Sequence, residues 1–229
     1  MIKHIVHSSA PVTLVGGGEA TTQDLQEALM LAPICVAADG GAALAFEAGV
    51  ALRAVIGDLD SLSAALRARI PAALQHQISE QDSTDFEKSL SRIDAPVVVG
   101  VGFTGGRMDH QLAALHVLAR FAHRPCVLLG AHELTFLAPP RISLPTVAGD
   151  VISLFPMAPV QGHSTGLAWP IAGLAFDPMR RIGTSNQATG PCEIQMQQPA
   201  MLMMVPRRLM QPVVSELSRV DAARWPVPA

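Results

Sequence analysis

The feature that most limits what this chain can fold into is a change of texture near residue 137. Before it, short β-rich runs occur at Val12–Val15, Ile34–Ala38, Ala54–Ile56, Leu74–Ile78, Val97–Val101 and Cys126–Leu129. Helix-like stretches lie between them, at Thr22–Leu31, Ala42–Ala48, Leu62–Ile70, Thr84–Ile93 and Asp109–Ala122. Strand–helix alternation at this spacing predicts an α/β unit with a mostly parallel sheet covered on both faces. The runs Val97–Val101 and Cys126–Leu129 are continuously apolar, as doubly covered strands should be. After Ala138-Pro139-Pro140 the runs stay short and are separated by Gly, Pro, Ser and Thr, as in Val151–Phe155, Glu193–Met196 and Leu202–Val205. That pattern predicts a small all-β sandwich. The expected organisation is therefore an N-terminal parallel-sheet α/β domain over 1–137, a small all-β sandwich over 138–217 and a tail over 218–229.

Bulk composition removes several classes of function. Net charge is −3 and only 15% of residues are charged, so the basic excess of a nucleic-acid binder is missing. No apolar run reaches the roughly 18 residues of a membrane span. The first residues do not read as a signal peptide, and a cytoplasmic location is expected. Cys35, Cys126 and Cys192 show no metal-ligand spacing; Cys35 and Cys126 read as small buried hydrophobes. Tyrosine is absent, which removes it as a general acid.

Against this charge-poor background, acidic residues gather at strand ends. Asp39 follows Ile34–Ala38, Asp58 and Asp60 follow Ala54–Ile56, and Asp82 and Asp85 follow Leu74–Ile78. Ligands of open α/β sheets bind outside the carboxyl ends of the strands, so these junctions aim carboxylates at one rim. Two like charges about 4 Å apart repel by about 4 kcal/mol at an effective dielectric near 20. A bound Mg²⁺ reverses that sign, taking one or two carboxylates together with waters and phosphate oxygens. Asp58 and Asp60, at i and i+2, project to one side if the segment stays extended. Helix capping explains parts of the pattern equally well. Asp60 or Ser61 suits the cap of a helix from Leu62, Asp82 the cap of one from Ser83, and Thr84 with Glu87 a capping box. The joint occurrence of three junctions is what favours a cation.

Glycines and one arginine complete the rim. Gly16-Gly17-Gly18 and Asp39-Gly40-Gly41 each follow a strand and suit either a phosphate against backbone N–H groups or a tight turn. Neither is a Walker A nor a G-x-G-x-x-G sequence. In Gly105-Gly106-Arg107-Met108-Asp109-His110, the Arg107 fork can bind phosphate oxygens, and Asp109 can cap the following helix or hold Arg107.

Taken in order, these segments resemble the thiamine pyrophosphokinases. The resemblance rests on Val-Ala-Ala-Asp39-Gly40-Gly41-Ala42, Ile-Gly57-Asp58-Leu-Asp60-Ser61, Gln81-Asp82-Ser83-Thr84-Asp85-Phe86-Glu87-Lys88 and Gly105-Gly106-Arg107-Met-Asp109-His110. Asp150-Val-Ile-Ser-Leu, Gly166-Leu-Ala-Trp-Pro-Ile and Gly183-Thr184-Ser185-Asn186 extend it to nearly the whole chain. It implies transfer of pyrophosphate from ATP to the hydroxyl of thiamine, giving thiamine diphosphate and AMP. It implies Mg²⁺ and a homodimer whose thiamine site is shared between subunits. By position, Asp58, Asp60 and Asp85 would organise metal and triphosphate. Asp39, Gly40, Gly41, Arg107 and Asp109 would face ATP. Gln81 and Thr84 would line the reacting region, and Ser185 and Asn186 would contact thiamine. Some members carry a Trp in the last strands of the β-domain, where this chain has Met201-Leu202-Met203-Met204. Rival expectations are a pyrophosphokinase for another small alcohol, or a non-catalytic nucleotide- or thiamine-binding protein.

Overall fold

A computed structural model describes residues 3–227; residues 1 and 2 of the leader reading and 228 and 229 of the expected tail lie outside the described residues. The chain is mixed α/β and divides into two compact units, Met1–Val117 with Leu128–Gly130, and Leu118–Val127 with Ala131–Ala229.

In the first unit the elements are β1 (Val6–His7), β2 (Val12–Val15), α1 (Thr22–Leu31), β3 (Ile34–Ala38), α2 (Ala42–Glu47) and β4 (Leu52–Gly57). They continue with α3 (Ala64–Arg69), β5 (Gln75–Gln77), α4 (Asp85–Leu90), β6 (Ile93–Asp94), β7 (Val98–Val101) and α5 (Met108–Arg120). The strand pairs β1–β6, β2–β7, β3–β4 and β4–β5 are all parallel. The expected runs form strands because β2 and β7 are buried along their whole length. Helix α1 starts at a reciprocal capping box, in which Thr21 accepts from Asp24 N–H and Asp24 accepts from Thr21 N–H. A core of small and branched residues, including Val15, Leu25, Ala37, Ala42, Ala45 and Val55, fills the space under these helices.

Helix boundaries moved where polar residues compete for the cap. Helix α3 starts two residues later than expected because Ser63, not Asp60 or Ser61, accepts from Leu66 N–H. Leu62 and Ile70 then leave the helix and enter the core. Helix α4 is capped by Thr84, which accepts from Glu87 N–H at 3.2 Å; Asp82 stays outside it.

In the second unit, β9 (Glu133–Leu137), β10 (Arg141–Leu144), β11 (Val151–Pro156), β12 (Val160–Leu167), β13 (Ala175–Phe176), β14 (Gly183–Met196) and β15 (Met201–Pro206) follow β8 (Cys126–Leu129). Their ladders are antiparallel, in the order β13-β12-β14-β11-β15-β9. The long β14 joins two sets of partners: its first residues pair with β11 and its last with β10 and β12. Not expected from the sequence is α6 (Met210–Ser218), which buries Met210, Val213, Val214 and Leu217 at helical spacing. Pro212 hid it, yet a proline in the first turn removes only an N–H that has no intrahelical acceptor. The following segment is tied down, with Trp225 Nε1 donating to Ala138 O at 2.8 Å. Among the described residues, no helix is long and apolar enough to cross a membrane.

Candidate active site

Parallel register brings the acidic junctions together. Ala38 pairs with Ile56 and Gly57 with Gln77, so β3, β4 and β5 end level and release Asp39 and Asp58 side by side. The segment after β4 is turned rather than extended. Leu59 takes a left-handed φ of 66° and its side chain is buried, while the aspartates on either side stay at the rim. The turn is held by Asp60 N–H donating to Asp58 Oδ1 (3.4 Å) and by Ser61 N–H donating to Asp39 Oδ2 (3.2 Å). One oxygen from each of Asp39, Asp58 and Asp60 lies within 4.8 Å of the others. Asp39 is buried, has φ of 40°, and its Oδ1 has no hydrogen-bond partner. A buried acceptor left unpaired, on backbone most residues avoid, is a cost that a cation can offset.

Asp85 stands apart from that trio. The residue that ties it to the site is Lys88, which sequence reasoning missed. Its side chain is 2% exposed, and its Nζ donates to Asp58 Oδ2 at 3.1 Å and to Asp85 Oδ1 at 3.3 Å. The signal was present: in a chain this poor in charge, a lysine one helical turn after Asp85 faces the same side. Burial works against the Lys88 ammonium, but its bonds to Asp58 and the charge of Asp85 outweigh it and raise its pKa. Burial likewise pushes Asp58 up, yet the Lys88 bond and the Asp60 N–H leave it below the ordinary carboxylate value. For Asp85 burial dominates; Lys88 lowers it, Asp58 and Asp39 raise it, and the balance lies above the ordinary value. Two carboxylates bridged by one ammonium are thus shifted in opposite directions from the ordinary value.

Gly57 makes this packing possible. A Cβ there would sit 2.8 Å from Asp39 Cβ and 3.0 Å from Asp85 Oδ1. Gly41 is equally constrained, since a Cβ would meet Val15 O at 2.1 Å.

Asp39, Asp58, Asp85 and Lys88 line a cavity of about 760 Å³ within the first unit. Gly16–Gly18, Gly40, Gln81, Thr84 and Arg107 line it too, as does the tilted pair Phe86–Phe103, with ring centroids 4.4 Å apart. Arg107 is exposed and held in a fork by Asp109, with Nε–Oδ1 at 3.1 Å and a second nitrogen to Oδ2 at 2.6 Å. That bond pulls the Asp109 carboxyl down to about 2. Of the two roles open to Asp109, the geometry shows it holding the arginine.

The two sequence-nominated residues of the second unit differ from each other. Ser185 is exposed at a left-handed φ of 58°, with its N–H donating to Ser153 Oγ. Asn186 is buried and its amide is already engaged: Oδ1 accepts from Trp169 N–H (3.2 Å) and Gln187 N–H (2.9 Å), and Nδ2 donates to Trp169 O (2.8 Å). It clamps the loop that presents the exposed Trp169. Met201 and Met203 are buried in β15 as core.

A rim of carboxylates around a glycine-lined cavity, closed by a forked arginine, leads to comparison with known proteins. Residues 25–129 match the family described as Thiamin pyrophosphokinase, catalytic domain. Thiamine pyrophosphokinase 1 and Thiamine pyrophosphokinase 2 of Oryza sativa subsp. japonica are 28% and 31% identical to the chain over 149 and 152 residues, 57% of this chain. The chain covers 56% of each of those relatives. Among solved structures, thiamin pyrophosphokinase from Geobacillus thermodenitrificans is similar at TM-score 0.72 and 22% identity, covering 86% of this chain and 97% of that one. Thiamin pyrophosphokinase from Candida albicans reaches the same TM-score at 15% identity, over 89% and 93%. The catalytic-domain match spans Asp39, Asp58, Asp60, Asp85, Lys88, Arg107 and Asp109, and the two structures share the fold.

Proposed function

We propose that the chain is a thiamine pyrophosphokinase, transferring pyrophosphate from ATP to the hydroxyl of thiamine with release of AMP. The observation that carries this reading is the buried Lys88 bridging Asp58 and Asp85 beside the Asp39–Asp58–Asp60 cluster, within the segment that matches the catalytic-domain family.

Transfers of this kind depend on positioning and charge neutralisation more than on covalent chemistry. Three converging carboxylates, one with an unpaired buried oxygen, suit a hard cation, so Asp39, Asp58 and Asp60 would hold Mg²⁺. When bound, Mg²⁺ neutralises charge on the phosphates and orients them. Gly16–Gly18 and Gly40 line the cavity, where phosphate oxygens would meet backbone, and Arg107 presents a fork already oriented by Asp109. Asp85 lies outside the acidic trio and its proton affinity is raised, which fits the group that accepts the hydroxyl proton. Lys88 holds Asp85 in position, and Gln81 and Thr84 border the reacting region.

The reading extends to a homodimer in the cytoplasm, with Ser185 and the Asn186-clamped Trp169 on the thiamine side. Support comes from exposed apolar groups at that end of β14: Trp169 is 60% exposed, and Val151, paired in register with Gln187, is 49% exposed. Purified protein with ATP, Mg²⁺ and thiamine should yield thiamine diphosphate and AMP in equal amounts by chromatography. No AMP with thiamine, but AMP with another primary alcohol, would replace the acceptor. No AMP with any acceptor would overturn the enzyme. Light scattering reads the dimer.

A further inference from the structure

A second group of metal-ligating side chains sits elsewhere in the first unit. His4 and His7 both turn Nδ1 toward one carboxylate oxygen, Asp94 Oδ2, at 3.8 and 3.2 Å. The rings meet edge to face, with centroids 5.4 Å apart and planes at 67°, so both nitrogens converge without stacking. One ligand atom from each residue lies within 4.8 Å of the others. Tetrahedral ligands about 2.1 Å from a Zn²⁺ ion are about 3.4 Å from one another. The two nitrogen-to-oxygen separations bracket that value and all three ligand atoms lie within 4.8 Å of one another, so local side-chain adjustment brings them around one ion.

We propose that His4, His7 and Asp94 form a site for a divalent transition-metal ion of the imidazole-preferring kind, of which Zn²⁺ is the probe. Two imidazoles and one carboxylate suit Zn²⁺, Ni²⁺ or Cu²⁺ and not the all-oxygen shell of Mg²⁺. The site is therefore chemically distinct from the acidic trio. Its place in the fold gives it a role. Strands β1 and β6 pair over only two residues, Val6 with Ile93 and His7 with Asp94. An ion held by His7 on one strand and Asp94 on the other closes that short ladder. Ile5 N–H also donates to Arg92 O (2.8 Å), and an Arg92 nitrogen donates to Lys88 O (2.9 Å). The ion would thus anchor the chain leaving the helix that carries Asp85 and Lys88.

The test is calorimetric titration of the whole chain with Zn²⁺ in excess Mg²⁺, together with thermal melts. Wild type should bind one Zn²⁺ and melt higher with it. His7→Ala and Asp94→Asn, both at exposed positions, should melt as wild type without zinc, lose at least about tenfold in zinc affinity, and lose the zinc-induced rise. Co²⁺ gives a second readout, a tetrahedral visible band present in wild type and lost in His4→Gln. Zinc affinity unchanged in both variants, or no saturable zinc binding by wild type, overturns the proposal. Neither outcome bears on thiamine turnover.

Discussion

Replacing Lys88 by methionine keeps the length of the side chain and removes its charge. Because Nζ lies within 3.3 Å of both Asp58 and Asp85, the substitution leaves two carboxylates facing each other across an apolar tip. At about 5 Å and an effective dielectric near 20, their repulsion is about 3 kcal/mol. That agrees with the roughly 3–5 kcal/mol that follows removal of one partner from a buried ion pair. Urea denaturation at pH 7.5 should therefore show Lys88→Met less stable by about 3 kcal/mol. The pH dependence fixes the cause. Asp85 already holds its proton more tightly in the folded chain than its ordinary value. Without the ammonium the folded-state pKa rises further, the native variant binds more protons than its unfolded form, and its stability grows as pH falls. The deficit should shrink between pH 8 and pH 5. In wild type the sign for Asp58 is opposite: its lowered pKa contributes stability above the ordinary carboxylate range that is lost on acidification below it. Lys88, with its raised pKa, contributes up to its ordinary value of 10.5 and loses that contribution beyond it. A deficit under about 0.5 kcal/mol, or one equal at pH 5 and pH 8, would refute the electrostatic account. Lys88→Met combined with Asp85→Asn should recover part of the loss.

Asp85→Asn removes the proposed proton acceptor while keeping its shape, so kcat should fall by about 100-fold or more with the thermal midpoint near wild type; a normal kcat assigns the proton elsewhere. Gly57→Ala pushes a methyl against Asp39 and Asp85 and should cost about 1–3 kcal/mol in urea unfolding while lowering turnover. Asn186→Ala frees the backbone of Trp169 from two hydrogen bonds, which should cost about 2 kcal/mol and broaden or shift tryptophan emission; an unchanged spectrum would mean the loop holds itself.

Most strands were legible because runs such as Val98–Val101 are apolar throughout, and burial on both faces demands that composition. Cys35 and Cys126 also sit where their apolar neighbours suggested, their thiols pushed upward by burial. Elements escaped where the local signal was contradicted by a legal exception, as with Pro212 in α6, where caps compete, as with Ser63 against Ser61, or where a strand is only two residues long, as with β1 and β6. In the site, the acidic junctions could be read because sheet topology sends strand ends to one rim. Which carboxylates meet there could not. It depends on the left-handed turn at Leu59, which brings Asp60 to Asp39 while Asp85 pairs with Lys88. Nor could the sequence tell that the Asn186 amide is occupied, since its partner Trp169 lies on a loop 17 residues earlier.

The unpaired oxygen of Asp39 has a consequence for how such a chain evolves. Position 39 is buried, held at an uncommon backbone angle and left with one unpartnered carboxylate oxygen, so its aspartate costs the fold stability. Selection for heat resistance alone, in a library randomised at this position, should discard the aspartate in favour of glycine, which adopts that angle freely and leaves no buried oxygen unpaired. Selection for turnover should restore it. Stability and activity are opposed here at a single codon.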